Sequence, residues 1–305
     1  MPVVSIARTG FSSPEIKNSI RGLLDKTDLK AQNVSSILIK TNACFYWDSS
    51  TGQTTDLRVI SGIIDYMRDR FGNDITIRVG EADASAMRVK HVFDVLKYDE
   101  VARQKRVELV NLSEGEKFEK EVTLAGRKIL LSFSKKILES DMIINVPKMK
   151  THPLTILTCC LKNVYGMIYE SHKYRYHKYL DQAIVGANKV IRPHLNVVDG
   201  VIASARQPIK LGCLLAGTDP LAVDSISAMI MGYDPSKIPH LALARREKVG
   251  ETGEITIVGE DPGKFREVFP TRNVKMEMKT VTILYSLLSA YSRVVGDIIP
   301  PSMEK

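Results

Sequence analysis

Cysteine is scarce in this sequence, with four residues at positions 44, 159, 160 and 213 of 305, and their spacing is that of neither a zinc ribbon nor a disulfide scaffold. Reduced thiols in a cytosolic setting fit that usage. No uninterrupted apolar run reaches the length of a membrane span, and the opening MPVVSIARTG lacks the basic start and apolar stretch of a secretory signal. A soluble, cytoplasmic protein is therefore expected. No arginine-rich tract interleaved with aromatics occurs. The net charge of +8, from 43 basic against 35 acidic residues, is spread along the chain, so it favours acidic ligands without calling for nucleic acid. Repeats and low-complexity linkers are also missing, and the apolar content suffices for a substantial core.

What is present is an alternation of strand and helix signals. Strands are expected at 34–39, 75–80 and 107–112, with helices at 56–71 and 85–97 between them. This rhythm implies a mainly parallel sheet with right-handed crossovers. Residues 118–124 and 128–133 alternate like a β-hairpin inserted into the pattern, joined by Ala125-Gly126-Arg127. A strand at 142–146 restarts the alternation, followed by strands at 195–201, 212–217 and 255–258 and helices at 220–231 and 238–248. The expected class is α/β, a mainly parallel, doubly wound sheet with an inserted β-hairpin and a helical excursion over the strand ends at 167–191. Residues 1–260 read as one core domain. Residues 261–305 read as an extension whose amphipathic helix, 281–299, docks on the core or serves a homodimer or membrane-surface contact.

The densest chemistry lies in IINVPKMKTHPLTILTCCLKNVYG, residues 143–166. The apolar run ends at Pro147, and Thr151, His152 and Pro153 then read as a helix start. Lys148, Lys150 and His152 would surround that helix N-terminus, where unpaired N–H groups and the dipole already favour an anion. Each lysine taken singly is as well read as a solvated surface residue. The cluster with histidine and asparagine points instead to a phosphate or carboxylate site. Cys159, Lys162, Asn163 and Gly166 recur at helical spacing, so a continuing helix would place them on one face.

NVPKMKTH, then LKNVYG, a histidine-bearing segment, VVDGV and LLAGTDPLAVDSISAMIMG, together with IKTN around Lys40 and Asn42 and TTDL at Thr54 to Leu57, resemble the domain of unknown function 362 family. The resemblance covers roughly residues 34 to 250. It implies no assigned reaction. Many relatives carry a ferredoxin-like module that binds iron–sulfur clusters; this sequence has no C-x-x-C-x-x-C, and it has Ala205-Arg206-Gln207-Pro208 where relatives tend to have glycines before the proline.

In α/β sheets ligands sit beyond the carboxyl ends of the strands. That rule selects Lys40 and Asn42, Glu81 and Asp83, Lys148 to His152, Asp199 with Gly200, and Asp219 with Asp224. The residues expected to act in catalysis are His152, Lys150 and Lys162. Lys40, Asn42, Lys148, Thr151, Asn163 and His177 are expected to hold a small anionic metabolite, and Glu81, Asp199, Asp219 and Asp224 a divalent metal. Asp219 reads more readily as a helix cap before Pro220 than as a ligand, and Asp224, on an apolar helical stretch, needs a partner such as one of the lysines. His172 and His177 stand five apart, which suits one functional histidine, while His91 and His194 read as ordinary. Cys159 and Cys160 are either buried small side chains or, near Lys162, activated thiols. The alternative function is therefore an iron–sulfur or redox-associated protein using Cys159 and Cys160, with Cys44 as a further candidate ligand.

Overall fold

The computed structural model describes residues 1–266 apart from 44, 45, 85, 86 and 206, together with 269, 283 and 287. The chain opens with β1 (Val3–Arg8) and α1 (Ser13–Leu24), then β2 (Ser36–Lys40), α2 (Leu57–Phe71), β3 (Thr76–Glu81), α3 (Val89–Val95), α4 (Tyr98–Lys105) and β4 (Glu108–Asn111). The hairpin follows as β5 (Lys117–Leu124) and β6 (Arg127–Ser134). After it come β7 (Met142–Asn145), β8 (Lys148–His152), β9 (Ile156–Thr158), α5 (Cys160–Tyr165), a 3₁₀ stretch at Lys173–Tyr179, and α6 (Leu180–Val190). The remainder is β10 (Leu195–Ser204), β11 (Pro208–Ile209), β12 (Cys213–Gly217), α7 (Pro220–Ile230), α8 (Pro239–Arg246) and β13 (Thr256–Gly259).

The main path of the sheet runs β13-β1-β12-β10-β7-β2-β3-β4. From β10 to β4 every neighbouring pair is parallel, whereas β12 runs antiparallel to both β1 and β10. Side chains of β2 alternate between two cores: Ile37 and Ile39 face α1 to α4, and Leu38 faces α5 to α8 and the hairpin. Both faces are covered, so the central strands read as continuous apolar runs. The fold is the expected mainly parallel, doubly wound α/β sheet, and each fully buried aliphatic side chain contributes about 1.5–3 kcal/mol to it.

Local signals explain several boundaries. Asp56 caps α2 by accepting from the Arg58 N–H at 2.9 Å. The two hairpin strands are joined by Ala125 and Gly126, both at positive φ, the geometry whose twist matches paired strands. β1 and α1 were not anticipated, although α1 carries a capping box between Ser12 and Glu15 with Pro14 in its first turn.

The expected helix start at Thr151 is wrong. Lys148 pairs with Asp199 and Lys150 with Ser204, so the chain stays beside the ten-residue β10 after β7 ends. Free ladder positions on β10 outweigh the local cap signal, and Pro153 falls in the turn between β8 and β9. α5 begins only at Cys160, so Cys159 lies outside it. No helix among the described residues is long and apolar enough to cross a membrane. Of the expected C-terminal helix, only Ile283 and Leu287 are described, both helical and exposed; the rest, and any dimer contact through it, lies outside the described residues.

Candidate anion-binding site

The parallel strands end in a buried polar frame. Lys40 at the end of β2 pairs with Glu81 at the end of β3 at 2.5 Å, and the Glu81 carboxylate also accepts from the Ala43 and Ala82 N–H groups, each at 2.9 Å. Burial pushes the Lys40 ammonium down from its usual range, with Glu81 opposing. Four asparagine side chains extend the frame: Asn42 donates to Asn163 at 2.9 Å, Asn163 to Asn145 at 2.8 Å, and Asn145 to Asn196 at 2.9 Å. These amides link the loop after β2, α5, β7 and β10.

Lys148 and Asp199 form a second buried pair at 2.8 Å, both side chains fully enclosed. Asp199 also accepts from the N–H groups of Asp56 at 2.7 Å and Val201 at 3.0 Å. Lys150, two residues on, donates to the Gln53 carbonyl at 2.7 Å. Lys40 and Lys148 are thus braces between strands. A buried ion pair is weak evidence for net stability but costly to break from one side.

The helix that does follow this segment, α5, holds the protein's own carboxylate at its N-terminus. Asp224 on α7 accepts from the Cys160 N–H at 2.6 Å and the Leu161 N–H at 3.0 Å. Among the described residues its partners are these N–H groups and the Cys159 and Cys160 thiols rather than the lysine suggested by the sequence, and burial raises its carboxyl to about 6 despite those bonds. The same corner holds both neighbouring thiols, fully buried with sulfurs 4.0 Å apart. Burial raises both thiols, Cys160 well above its ordinary value, so Lys162 does not activate them.

A basic cluster forms around Lys162 of α5. His152 at the end of β8, His177 in the 3₁₀ stretch and His240 in the first turn of α8 all feel its charge. Burial first, and then the positive neighbours, hold His152 well below its ordinary range, His177 at about 4 and His240 at about 3. The Lys162 charge depresses all three imidazoles, and Lys150 adds to this at His152. His152 Nδ1 accepts from the Leu154 N–H at 3.2 Å, which places the proton of the neutral ring on Nε2. The turn beside it is strained, since Ile156, paired with His152 in the hairpin, sits at φ 67°. His240 is fully buried, and among the described residues neither ring nitrogen has a hydrogen-bond partner. Sequence reading noted its place near a helix start but not this role. The excursion at Lys173–Tyr179 also brings an unanticipated lysine over the strand ends: Lys173 donates to the Asp83 carbonyl, and burial lowers its ammonium to about 7.

The four carboxylates expected to share a metal occupy separate places. Glu81 and Asp199 sit in the two ion pairs, and Asp224 caps α5. Asp219 caps α7, accepting from Ala222 at 2.8 Å. Because β12 is antiparallel, Asp219 lies beside the start of β10, next to a cavity of about 290 Å³ also lined by Asp28, Arg192, Lys248 and Glu251. Among the described residues, one group of three metal-ligating side chains converges, Cys159, Cys160 and Asp224. His194 is ordinary, as read: its Nδ1 accepts from the Ile143 N–H at 3.0 Å. Thr151 is half-buried on β8, and Cys44 lies outside the described residues.

Comparison with known proteins places this site in context. A family model described as domain of unknown function (DUF362) matches residues 37–229. The thylakoid-associated protein sll1697 of Synechocystis sp. is 30% identical over 129 residues, covering 38% of this chain and 40% of that protein, so the match spans less than half of either. Two solved structures are similar in part. A protein from Thermotoga maritima has a TM-score of 0.41 and 12% identity, over 67% of this chain and 54% of its own. The lactate racemase apoprotein from Thermoanaerobacterium thermosaccharolyticum has a TM-score of 0.42 and 8% identity, over 75% of this chain and 57% of its own.

Proposed function

Since this chain belongs to the domain of unknown function 362 family, we propose that it is a cytoplasmic enzyme that acts on a small metabolite bearing phosphate or carboxylate, bound at the Lys150, His152, Lys162, His177 and His240 cluster. One observation carries the reading: the Lys162 charge lowers three imidazoles that converge on it, His152 and His177 half-buried and His240 fully buried. A partly buried, positively biased group of donors is matched by an anion.

In this reading Lys150 and Lys162 neutralise the ligand, and His152 presents Nε2–H to one of its oxygens. The bound negative charge raises the pKa of the neighbouring imidazoles, so binding recruits a proton that an imidazolium of the cluster can pass to the reacting group; at His152 the incoming proton displaces the Leu154 N–H from Nδ1, and the Nε2 proton is the one delivered. General acid catalysis of this kind contributes about 10²–10⁴-fold. Lys40, Lys148, Asn42 and Asn163 hold the strand ends in place, and a divalent metal, if the reaction uses one, would come with the substrate.

The test is calorimetric titration near pH 6.5 with inorganic phosphate and with small mono- and dicarboxylates, in buffers of different ionisation enthalpy. Saturable binding of one of them with proton uptake is expected, and Lys162→Met should remove both while leaving the circular dichroism spectrum unchanged. Equal binding by Lys162→Met would end the proposal.

An iron–sulfur or redox role through Cys159 and Cys160 is the second reading, supported by the convergence of their sulfurs. Such clusters take four ligands, usually thiolates, and two thiols meet at this corner among the described residues. Iron and acid-labile sulfide analysis after oxygen-free purification decides it.

A further inference from the structure

We propose that Cys159, Cys160, Asp224 and Ser227 form a closed site for one thiophilic divalent cation of the zinc class, which ties the β9–α5 junction to α7. The proposal is independent of the anion site.

The argument is geometric. With zinc–sulfur bonds of about 2.3 Å and zinc–oxygen bonds of about 2.0 Å, a tetrahedral ion separates two sulfurs by about 3.8 Å and a sulfur from an oxygen by about 3.5 Å. The Cys159 and Cys160 sulfurs are 4.0 Å apart, and the Cys159 sulfur is 3.5 Å from Ser227 Oγ. The two sulfurs and an Asp224 oxygen all lie within 4.8 Å of one another, so shifts of about an ångström bring these three donors to tetrahedral separations, with Ser227 Oγ at the Cys159 sulfur as the fourth. Asp224 and Ser227 stand three apart on α7 and share a face.

The surroundings orient these donors. The Cys160 and Leu161 N–H groups fix the Asp224 carboxylate, and each of its oxygens keeps a lone pair. Ser227 donates its hydroxyl proton to the Val223 carbonyl at 2.8 Å, which leaves its oxygen lone pairs for the sulfur side. All four residues are buried. Binding converts two S–H groups and one M²⁺ into two M–S bonds, with two protons released to solvent; the carboxylate and the hydroxyl oxygen complete the set. Four protein donors leave no open position, which makes the ion structural. It would anchor the first turn of α5, the helix that carries Lys162 and Asn163.

The experiment uses the full chain, reduced with a phosphine and freed of metal, titrated separately with Zn²⁺ and Co²⁺. One ion per chain is expected, with two protons released, a higher melting temperature, and thiolate-to-cobalt charge-transfer bands with tetrahedral visible absorption. The Cys159→Ala, Cys160→Ala double variant should lose the bands. Ser227→Ala, which removes one donor with little change in volume, should weaken cobalt binding at least about tenfold, and it keeps the test valid if the double variant does not fold. Uptake below one ion per chain, cobalt bound without thiolate bands, or bands or affinity unchanged in the variants would each overturn the site.

Discussion

Replacing Asp199 with Ala strands the Lys148 ammonium in a place where neither side chain is exposed. It also removes the acceptor of the Asp56 and Val201 N–H groups. Removing one partner of a buried pair costs about 3–5 kcal/mol. The two orphaned donors add to this, though not additively, since part of their penalty is relieved when water enters. We expect a loss of at least about 4 kcal/mol, which at about 2–4 °C per kcal/mol for a chain approaching this size lowers the melting temperature by about 8–16 °C. Urea unfolding followed by far-ultraviolet circular dichroism measures it, with Lys148→Met and the Lys148→Met, Asp199→Leu double variant completing the cycle. The double variant should be more stable than Asp199→Ala, because it buries no lone charge. A loss below about 1 kcal/mol for Asp199→Ala, the range of exposed pairs, would refute the reasoning that this pair pins β8 to β10.

Three further outcomes are expected. The histidines at His177 and His240 are neutral in the folded chain to about pH 4 and 3 but titrate near 6.5 when unfolded, so the unfolded chain binds more protons below that pH. Stability should therefore fall as pH drops from about 6.5 toward 4, by up to about 1.4 kcal/mol per pH unit for each histidine, and His177→Gln should flatten the slope by one such share. In the metal-free chain Asp224, raised to about 6, acts oppositely between about pH 6 and 4, so Asp224→Asn should steepen the same curve. Gly200→Ala should destabilise the chain by about 1–3 kcal/mol in denaturant titration, because a Cβ there would stand 2.7 Å from the Cys213 carbonyl on the neighbouring strand.

Much of the fold was legible in local pattern. The apolar runs of β2, β3 and β7 and the amphipathic repeat of α2 are properties of short segments, and so is the Ala125-Gly126 turn. The cap role of Asp219 before Pro220 was likewise readable, since capping involves a span of four residues. β1 was missed because its apolar stretch is short and its partners, β12 and β13, lie more than two hundred residues away. β8 was misread because its partner, β10, comes later in the chain, and Thr-His-Pro carries a helix-start signal that pairing overrides.

The sequence by itself determined the α/β alternation, the family, and the segment in which lysine, histidine and cysteine are concentrated, because these depend on residue type and near spacing. Tertiary structure alone decided which charges compensate one another. Lys40 with Glu81, Lys148 with Asp199, and Asp224 with the first turn of α5 are pairings across separations of 41, 51 and 64 residues in the sequence. It also decided that His177 and His240 join His152 around Lys162. Burial and charge act through space over a few ångströms, and only the packed sheet sets those distances.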